Sequence, residues 1–440
     1  MKLVILGGGG FRVPIVYQAL LADAGPLRDT EVVLYDSCPQ RLAAMESVLA
    51  QQAGASPDAP RVSSTTSLDA ALAGAGFVFS AIRVGGLAGR VHDERIALDL
   101  GVLGQETTGP GGIAYGLRTI PVALRIAERV AELCPDAYVI NFTNPAGMIT
   151  EAMQGVLGEH VIGICDTPGG LGRRIAAALG LQAEDVRLDY VGLNHLGWMR
   201  GVNCAGRDVL PELLADDQAL AALEEASIFG VPWLRSLGCI PNEYLYYYYF
   251  NRDAISAIRA QRWTRGEFLA RQQADFYAAA AASPGQALQL WEETNAERRA
   301  LYMAEAKGGR ARPEHEPPTA GGYAGVALGV MTAIAGNQPA TMILNVRNNG
   351  ALAGLDADAV VELPSTVDAA GAHPVPAAEP DLHQLGLMQQ LKAVERLTIE
   401  AAVTGSPDAA LQAFALHPLV DSVSVARDLL SGYQAVQEQG

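Results

Sequence analysis

Short apolar runs alternate with helical segments over the first 190 residues of the chain. Helical spacing of apolar positions is clear in IVYQALLADA (15–24) and in RTIPVALRIAERVAEL (118–133). The runs between such segments predict six strands, at 3–6, 32–35, 77–82, 137–142, 161–165 and 188–193. Because helices separate them, we expect these strands to pair in parallel as a doubly wound sheet.

The pattern changes after about residue 195, where helical spacing dominates. Aromatic residues cluster in YLYYYYF (244–250), and charged helical sequence extends over 252–312. A stretch rich in Gly and Pro then interrupts the helices at 316–325. This half of the chain is therefore predicted to be mainly helical.

Two strand-like runs, 341–350 and 358–367, precede a closing pair of helices from about 383 to 436. A mainly helical half with a few strands is typical of a mixed α+β domain. We accordingly predict an α/β protein with a Rossmann-like, doubly wound domain over residues 1–190 and an α+β domain over residues 191–440.

Composition and charge exclude several classes of function. Half of the residues are hydrophobic and 18% are charged, as in a globular protein. The formal net charge of −17 argues against a nucleic-acid partner, because neutralising phosphates needs clusters of Lys and Arg. The five cysteines are odd in number and irregularly spaced, which does not favour a disulfide framework.

The sequence does not indicate a membrane protein. No run reaches the roughly 20 apolar residues that span a bilayer. The first residues form an apolar run directly, without the basic region and the cleavage site of a signal peptide. We therefore expect no membrane partner and a cytoplasmic location.

The first apolar run leads into LGGGGFRVP (6–14), a candidate dinucleotide-binding loop. In such loops the first glycine allows a tight turn, the second lets the backbone approach the pyrophosphate, and a helix N-terminus faces the anion. Arg12 replaces the usual third glycine, so we expect the helix to begin differently, with Pro14 in its first turn. Asp36 ends the second strand, where an acidic residue accepts hydrogen bonds from a ribose and favours NAD over NADP.

The candidate cofactor-binding residues are Gly7, Gly8, Gly9, Gly10, Phe11, Asp36 and Arg41. The alternative is a glycine-rich turn between a strand and a helix that binds no nucleotide.

A cysteine and a histidine follow two later strands, in GICDTPGG (163–170) and GLNHLGW (192–198). Ligands gather at the carboxyl ends of parallel strands, so we expect Cys165, Asp166, Asn194 and His195 to converge. One thiolate and one imidazole leave a metal with open positions, which suits a catalytic metal rather than a structural zinc site. The alternative is a buried core thiol and a hydrogen-bonded loop histidine.

Motifs spread over nearly the whole chain share one family pattern. They are RVGGLAGRVHDE (83–94), GQETTGPGG (104–112), NFTNPAG (141–147), GICDTP, GLNHLGW, IPNEYLYYYY (240–249), NVRNNG (345–350) and ERLTIEAAVTG (395–405). In this order they closely resemble glycoside hydrolase family 4, whose GGGS-x-x-TP loop is similar to LGGGGFRVP except at Gly10 and Val13.

The resemblance implies an enzyme that looks like a dehydrogenase but hydrolyses glycosides, often sugars phosphorylated at the 6 position. It implies NAD and a divalent metal, commonly manganese, and it places the enzyme outside the two-carboxylate scheme of most glycosidases. By resemblance, Cys165 and His195 are the metal ligands, and Arg90, Asn144 and Arg265 bind substrate. The active site is expected at the junction of the two domains, in a homodimer or homotetramer.

The chemistry that the resemblance implies begins with hydride transfer from C3 of the sugar to NAD, which makes the C2 proton acidic. A metal across the C2 and C3 oxygens would stabilise the enediolate. Tyr244 is expected to be the base that removes the C2 proton, with the tyrosines at 246–249 as competitors. Elimination at C1, addition of water and return of the hydride complete the hydrolysis.

The anomer is indicated by two conflicting features. Asp166 resembles the acid of members that act on α-glycosides, whereas GLNHLGW and the segment around Tyr244 are similar to β-acting members. We expect a 6-phospho-β-glucosidase, with a 6-phospho-α-glucosidase as the alternative.

Glu106 matches a position that the resemblance associates with tuning the base. On sequence alone it could equally be a solvated loop carboxylate.

Two alternatives lie outside this family. An NAD-dependent hydroxy-acid dehydrogenase would use a His and Asp relay with a carboxylate-binding Arg and would have no need of Cys165. A nucleotide-binding protein without catalysis would keep the glycine loop but bind no metal.

Overall fold

The apolar runs of the first half form a parallel sheet. Its strands are β1 (Lys2–Leu6), β2 (Glu31–Tyr35), β3 (Val62–Thr65), β4 (Phe77–Ser80), β5 (Tyr138–Asn141) and β6 (Val161–Gly163). They lie in the order β3-β2-β1-β4-β5-β6, and every neighbouring pair is parallel. Because this is the strand order of dinucleotide-binding Rossmann folds, the predicted fold class is confirmed.

A computed structural model describes residues 1–23, 25–303, 305–306 and 322–437. The Gly- and Pro-rich interruption predicted at 316–325 lies mostly outside these ranges, as does the end of the charged segment predicted over 252–312.

Helices cover both faces of the parallel strands. They are α1 (Val13–Ala22), α2 (Pro39–Ala53), α3 (Leu68–Leu72), α4 (Gly86–Asp99), α5 (Pro110–Leu133), α6 (Ala146–Leu157) and α7 (Thr167–Ala178). The alternation of side chains along β1 supplies both faces, since Leu3 and Ile5 lie in one core cluster while Val4 and Leu6 lie in another. The sheet is therefore buried between two helical layers.

The second half extends the same sheet with antiparallel strands. These are β7 (Val186–Leu193), β8 (Leu196–Cys204), β9 (Arg207–Asp208), β10 (Ile240–Pro241), β11 (Ala340–Arg347), β12 (Val360–Asp368) and β13 (Gly371–Pro374). The order continues from β6 through β11, β12, β7 and β8 to β10, while β13 pairs with β12 and β9 with β8. The strand predicted at 188–193 exists as β7, but its predicted parallel pairing is wrong, because a two-residue turn joins it directly to β8.

The remaining helices of the described ranges pack around this antiparallel part and around the parallel part of the sheet. They are α8 (Leu210–Ala215), α9 (Asp217–Ala221), α10 (Glu224–Phe229), α11 (Val231–Leu237), α12 (Tyr246–Tyr249), α13 (Asn251–Ala260), α14 (Arg265–Ala282), α15 (Ala287–Ala300), α16 (Gly322–Gly336), α17 (Leu382–Thr404), α18 (Pro407–Leu416) and α19 (Val423–Gln437). In the described part of the chain, no helix is both long and apolar enough to cross a membrane.

The closing helices number three rather than the predicted pair. Helix α17 ends at Gly405, whose φ of 72° favours glycine, and Ser406 then caps α18 by accepting a hydrogen bond from the backbone nitrogen of Ala409. Apolar spacing continues across this short break, so periodicity alone does not reveal it.

One row of register partners crosses the sheet at the carboxyl ends of the parallel strands. From β1 to β7 the row consists of Leu6, Ser80, Asn141, Gly163, Asn345, Glu362 and Gly192. A side chain at Gly163 would lie 2.5 Å from Oγ1 of Thr150 and 2.8 Å from Cβ of Asn345, so only glycine fits there. The sheet is continuous across the predicted boundary at residue 190, which lies inside β7; the division into two domains stays a prediction.

Candidate active site

The glycine loop after β1 is folded so tightly that its glycines cannot carry side chains. Gly7 has φ of +80°, and a Cβ there would lie 2.7 Å from the carbonyl oxygen of Ala81. The backbone nitrogens of Gly7 and Gly8 both donate to the carbonyl oxygen of Tyr35, at 2.9 and 2.7 Å. Such close packing brings the backbone to the surface of the cleft at the end of β1.

An alanine with a left-handed backbone costs about 1 kcal/mol, and Gly7→Ala is expected to lower the free energy of unfolding by more than this. The additional loss comes from the close contact between the new Cβ and the carbonyl oxygen of Ala81, because a backbone oxygen within the sheet region cannot move away as a flexible side chain can. Gly74→Ala is the matched control, since Gly74 has a similar φ of +73° and no atom within 4 Å of a Cβ. Urea unfolding of both variants tests this, and equal losses would contradict it.

Helix α1 begins at the end of this loop as the sequence predicts. Arg12 is its N-cap residue, Val13 its first residue and Pro14 its second. The missing third glycine is thus replaced by an arginine whose guanidinium lies 4.6 Å from the ring centroid of Phe142.

A cavity of about 600 Å³ lies against the loop and the ends of β1, β2 and β4. The predicted cofactor residues that line it are Gly7, Gly10, Phe11, Asp36 and Arg41. Gly8 and Gly9 instead pack behind it, against Leu34 and Arg41. The Asp36 carboxylate accepts hydrogen bonds from the backbone nitrogens of Gly9 and Cys38, at 3.1 and 2.9 Å, so it also holds the loop in place.

A second cavity of about 590 Å³ adjoins the first and contains the predicted metal, base and substrate residues. It is lined by Cys165, His195, Tyr244, Asp166, Glu106, Arg90, Asn144 and Arg265. Arg90 and Asn144 line both cavities, as do Arg12 and Arg298. The structure therefore brings these predicted residues together in one place beside the first cavity.

Cys165 and His195 reach this cavity from different parts of the sheet. Cys165 follows β6, whereas His195 lies in the turn between β7 and β8 with φ of 63°. Both are more than nine-tenths buried. Among the described residues, no third His, Cys, Asp or Glu completes a set of three metal ligands with them.

The electrostatics of this pair fit a metal ion with open positions. Burial lowers the pKa of His195 to about 3, so the imidazole is neutral and able to act as a ligand. Burial, together with the nearby Glu362 and Asp166, raises the pKa of the Cys165 thiol well above its usual range. A bound cation would reverse this effect on the thiol.

Two of the tyrosines between residues 244 and 249 line this cavity, Tyr244 and Tyr247. The Tyr244 ring lies parallel to the His195 imidazole, with centroids 3.6 Å apart, and its hydroxyl is 2.9 Å from that of Tyr302. Tyr302 in turn donates to Oε1 of Glu243 at 2.8 Å. The Tyr247 hydroxyl instead donates to Glu305 at 2.6 Å.

Glu106 is not the solvated loop carboxylate that the sequence left open. It lies 2.6 Å from a guanidinium nitrogen of Arg83 and 2.7 Å from one of Arg90. Burial alone would raise the pKa of Glu106, but the two arginines lower it far below its usual value. Glu106 is thus a charged member of the cavity wall.

Three arginines that line the second cavity, Arg12, Arg265 and Arg298, form an arginine cluster. Burial and the neighbouring arginines lower the pKa of Arg265 to about 10 and that of Arg298 to about 9. Nη1 of Arg265 is buried without a hydrogen-bond partner. Within the described ranges none of the three forms an ion pair with a carboxylate, so the cluster is suited to bind an anion.

Sequence reasoning missed several residues of this wall. Arg298 and Tyr302 come from the helical segment around α15, where charged positions repeat without a motif. In the sequence, Arg12 marks only a departure from the glycine pattern. Glu362 is fully buried below the site and accepts hydrogen bonds from Tyr190, Asn194 and Asn345 at 2.9, 3.3 and 3.0 Å. The position of Glu362 near the site becomes apparent only from its pairing with Asn345 in the sheet.

Two family patterns match the chain in succession. The pattern described as "Family 4 glycosyl hydrolase" matches residues 2–181, and that described as "Family 4 glycosyl hydrolase C-terminal domain" matches residues 190–420. These matches, together with the fold, define a glycosidase built on a Rossmann-type sheet. The chain belongs to glycosyl hydrolase family 4, which confirms the family that its motifs predict.

Individual relatives match over the full chain. A probable 6-phospho-β-glucosidase of Bacillus subtilis is 32% identical over 98% of this chain and 95% of the relative. The 6-phospho-β-glucosidase of Thermotoga maritima, solved with manganese, NAD+ and glucose-6-phosphate, has a TM-score of 0.83 at 29% identity and covers 100% of this chain and 99% of its own. A 6-phospho-α-glucosidase from gut microorganisms, solved with NAD and glucose-6-phosphate, has a TM-score of 0.83 at 27% identity and corresponding coverages of 100% and 98%.

Proposed function

We propose that this protein hydrolyses 6-phospho-β-glucosides with NAD and a divalent metal, Mn²⁺ by analogy with its relatives. The observation that carries the proposal is the shared wall of the two cavities, which Arg90, Asn144 and Arg298 line from both sides. A sugar in one cavity and a nicotinamide in the other would meet at this wall. Such proximity is what hydride transfer needs, because reacting atoms must approach to about 3–3.5 Å.

The residues present suit both cofactors. Gly7, Gly10 and the N-terminus of α1 would hold the pyrophosphate, and Asp36 the ribose. Cys165 and His195 would hold the metal, with the remaining positions left for sugar oxygens and water. When bound, NAD would supply a hydride acceptor for C3 of the sugar and the cation would supply positive charge beside the sugar oxygens, which together would acidify the C2 proton.

Tyr244 is the proposed base for that proton. Its ring lies against His195, and its hydroxyl is linked through Tyr302 to Glu243, which provides a route for the proton away from the sugar. Asp166 lines the same cavity and would protonate the leaving oxygen at C1. Glu106 orients Arg90 at the wall through their ion pair and would influence the base through its charge.

The arginine cluster supports a phosphorylated substrate. Burial and the neighbouring arginines lower the pKa values of Arg265 and Arg298, since within the described ranges neither has a carboxylate ion-pair partner and Glu106 offsets the effect only in part. A phosphate dianion would supply that partner and make charge-assisted hydrogen bonds. The solved relatives that hold glucose-6-phosphate agree with this assignment.

A 6-phospho-α-glucosidase is the second candidate, because Asp166 provides a carboxylic acid in the cavity. The β preference is supported by the GLNHLGW and IPNEYLYYYY segments. A homodimeric or homotetrameric state, the cytoplasmic location, and the absence of nucleic-acid and membrane partners stay predictions from the sequence.

In the presence of NAD, Mn²⁺ and a reductant, we expect release of nitrophenol from p-nitrophenyl 6-phospho-β-glucoside without accumulation of NADH. The α anomer and the unphosphorylated β-glucoside serve as parallel substrates. Release should be at least about tenfold faster from the phosphorylated β-glucoside, equivalent to about 1.4 kcal/mol of transition-state stabilisation.

Each other result contradicts a specific part of the proposal. Faster release from the α anomer would favour the second candidate, and equal release from the unphosphorylated sugar would contradict the role of the arginine cluster. Steady NADH formation from a hydroxy acid would indicate a dehydrogenase, and inactivity on every substrate a nucleotide-binding protein without catalysis.

A further inference from the structure

We propose that Gln105 and Thr107 fix the tautomer of His195, so that Nδ1 carries the proton and Nε2 is left with the lone pair that a metal cation binds. This inference rests on the proposed function, in which His195 is a metal ligand. It assigns a positioning role to two side chains that act through the histidine.

The orientation of the Gln105 amide is fixed by the backbone. Its Oε1 atom lies 2.7 Å from the backbone nitrogen of Thr107 and 2.6 Å from that of Thr108. Backbone N–H groups only donate, so the amide atom facing them is the acceptor oxygen and not the nitrogen. The ambiguity between the two amide orientations is thereby removed.

The same oxygen determines where the Thr107 hydroxyl points. Oγ1 of Thr107 lies 3.1 Å from Oε1 of Gln105. An amide oxygen cannot donate, so this hydrogen bond exists only if the one hydroxyl hydrogen of Thr107 lies between the two atoms. With that hydrogen directed away, the two acceptor oxygens would face each other at 3.1 Å without a hydrogen between them.

The proton of His195 follows from the direction of this hydroxyl. Oγ1 of Thr107 also lies 3.1 Å from Nδ1 of His195. Since its hydrogen is committed to Gln105, Oγ1 is the acceptor here and Nδ1 is the donor. A neutral imidazole has a single N–H, so Nε2 keeps its lone pair. His195 is thus already in the tautomer that binds a metal through Nε2 when no metal is present.

Thr107→Val and Thr107→Ser form the matched pair that tests the proposal. Valine keeps the shape of the side chain and removes the hydroxyl, whereas serine keeps the hydroxyl. Titration with Mn²⁺ in the presence of saturating NAD measures metal affinity. ¹⁵N chemical shifts of the metal-free, labelled protein report the tautomer, with the His195 signal identified by its loss in His195→Gln.

We expect the Kd for Mn²⁺ to rise about 10- to 100-fold in Thr107→Val, the usual effect of removing the partner of a ligating histidine. The His195 signal should lose its Nδ1–H character in that variant. Thr107→Ser should restore both the affinity and the tautomer. Wild-type affinity and tautomer in the valine variant would overturn the proposal, and so would equal impairment by serine, which would indicate packing instead of the hydroxyl.

The unmodified protein provides a test that does not depend on the valine variant folding. Metal-free His195 must itself show the Nδ1–H tautomer, and an Nε2–H tautomer would overturn the proposal. Neither measurement uses a substrate. Failure of the proposed function would therefore appear in the glycosidase assay, separately from failure of the tautomer assignment.

Discussion

Cys165→Ser is expected to remove most of the hydrolysis and to weaken metal binding by more than about 100-fold, since residues one step removed from a metal already cost about 10- to 100-fold. Serine keeps the size of the side chain but does not ionise beside a cation as a thiol does. NAD binding should persist, because Cys165 lines the second cavity and not the first, which lies against the glycine loop. Mn²⁺ titration and NAD titration on the same variant measure the two effects separately.

Cys134→Ser is the matched control for this substitution. Cys134 is also a buried thiol, 6% exposed, but it lies in a core cluster at the end of α5 and lines neither cavity. We expect metal affinity and turnover to stay at wild-type levels in this variant. An unchanged metal affinity in Cys165→Ser would return Cys165 to the role of a core thiol.

Tyr244→Phe is expected to lower kcat by about 10²- to 10⁴-fold, the range that general base catalysis contributes. The ring would keep its contact with His195, because the substitution removes only the hydroxyl. The proton at C2 would then lack its acceptor. In D₂O, the wild-type product should carry deuterium at C2, and the variant should incorporate it far more slowly.

Tyr247→Phe distinguishes the base from its neighbour in the same cavity. The Tyr247 hydroxyl donates to Glu305, so its loss should weaken turnover within about tenfold without slowing the deuterium exchange selectively. The reverse pattern, with exchange lost in Tyr247→Phe and kept in Tyr244→Phe, would reassign the base to Tyr247.

Five of the six parallel strands β1 to β6 were predictable from the sequence, and the failure to predict β3 has a physical cause. Strand β3 reads VSST and lies at the edge of the sheet with each of its residues at least partly accessible, so no apolar run marks it. Strand β7 was located correctly, but its pairing partner β12 lies about 170 residues later. Pairing at such distance leaves no mark in local periodicity.

The site divides in the same way. Cys165, His195 and the glycine loop lie at the ends of apolar runs, where a local pattern is enough to select them. Arg298 reaches the second cavity only through the packing of α15, and Glu362 lies below that cavity only through the register of β12. Their positions depend on tertiary structure, and the sequence around them has the ordinary spacing of a helix and a strand.

The row of register partners from Leu6 to Gly192 links the parts of the sheet beside the first and the second cavity through backbone hydrogen bonds. Asn345 and Glu362 are the fifth and sixth residues of this row and are fully buried. Unfolding one side would break the sheet of the other, so the two sides are expected to melt as one cooperative unit. A dinucleotide bound at Gly7 would therefore also stabilise the part of the sheet beside the second cavity, because a ligand that binds only the native state raises the free energy of unfolding.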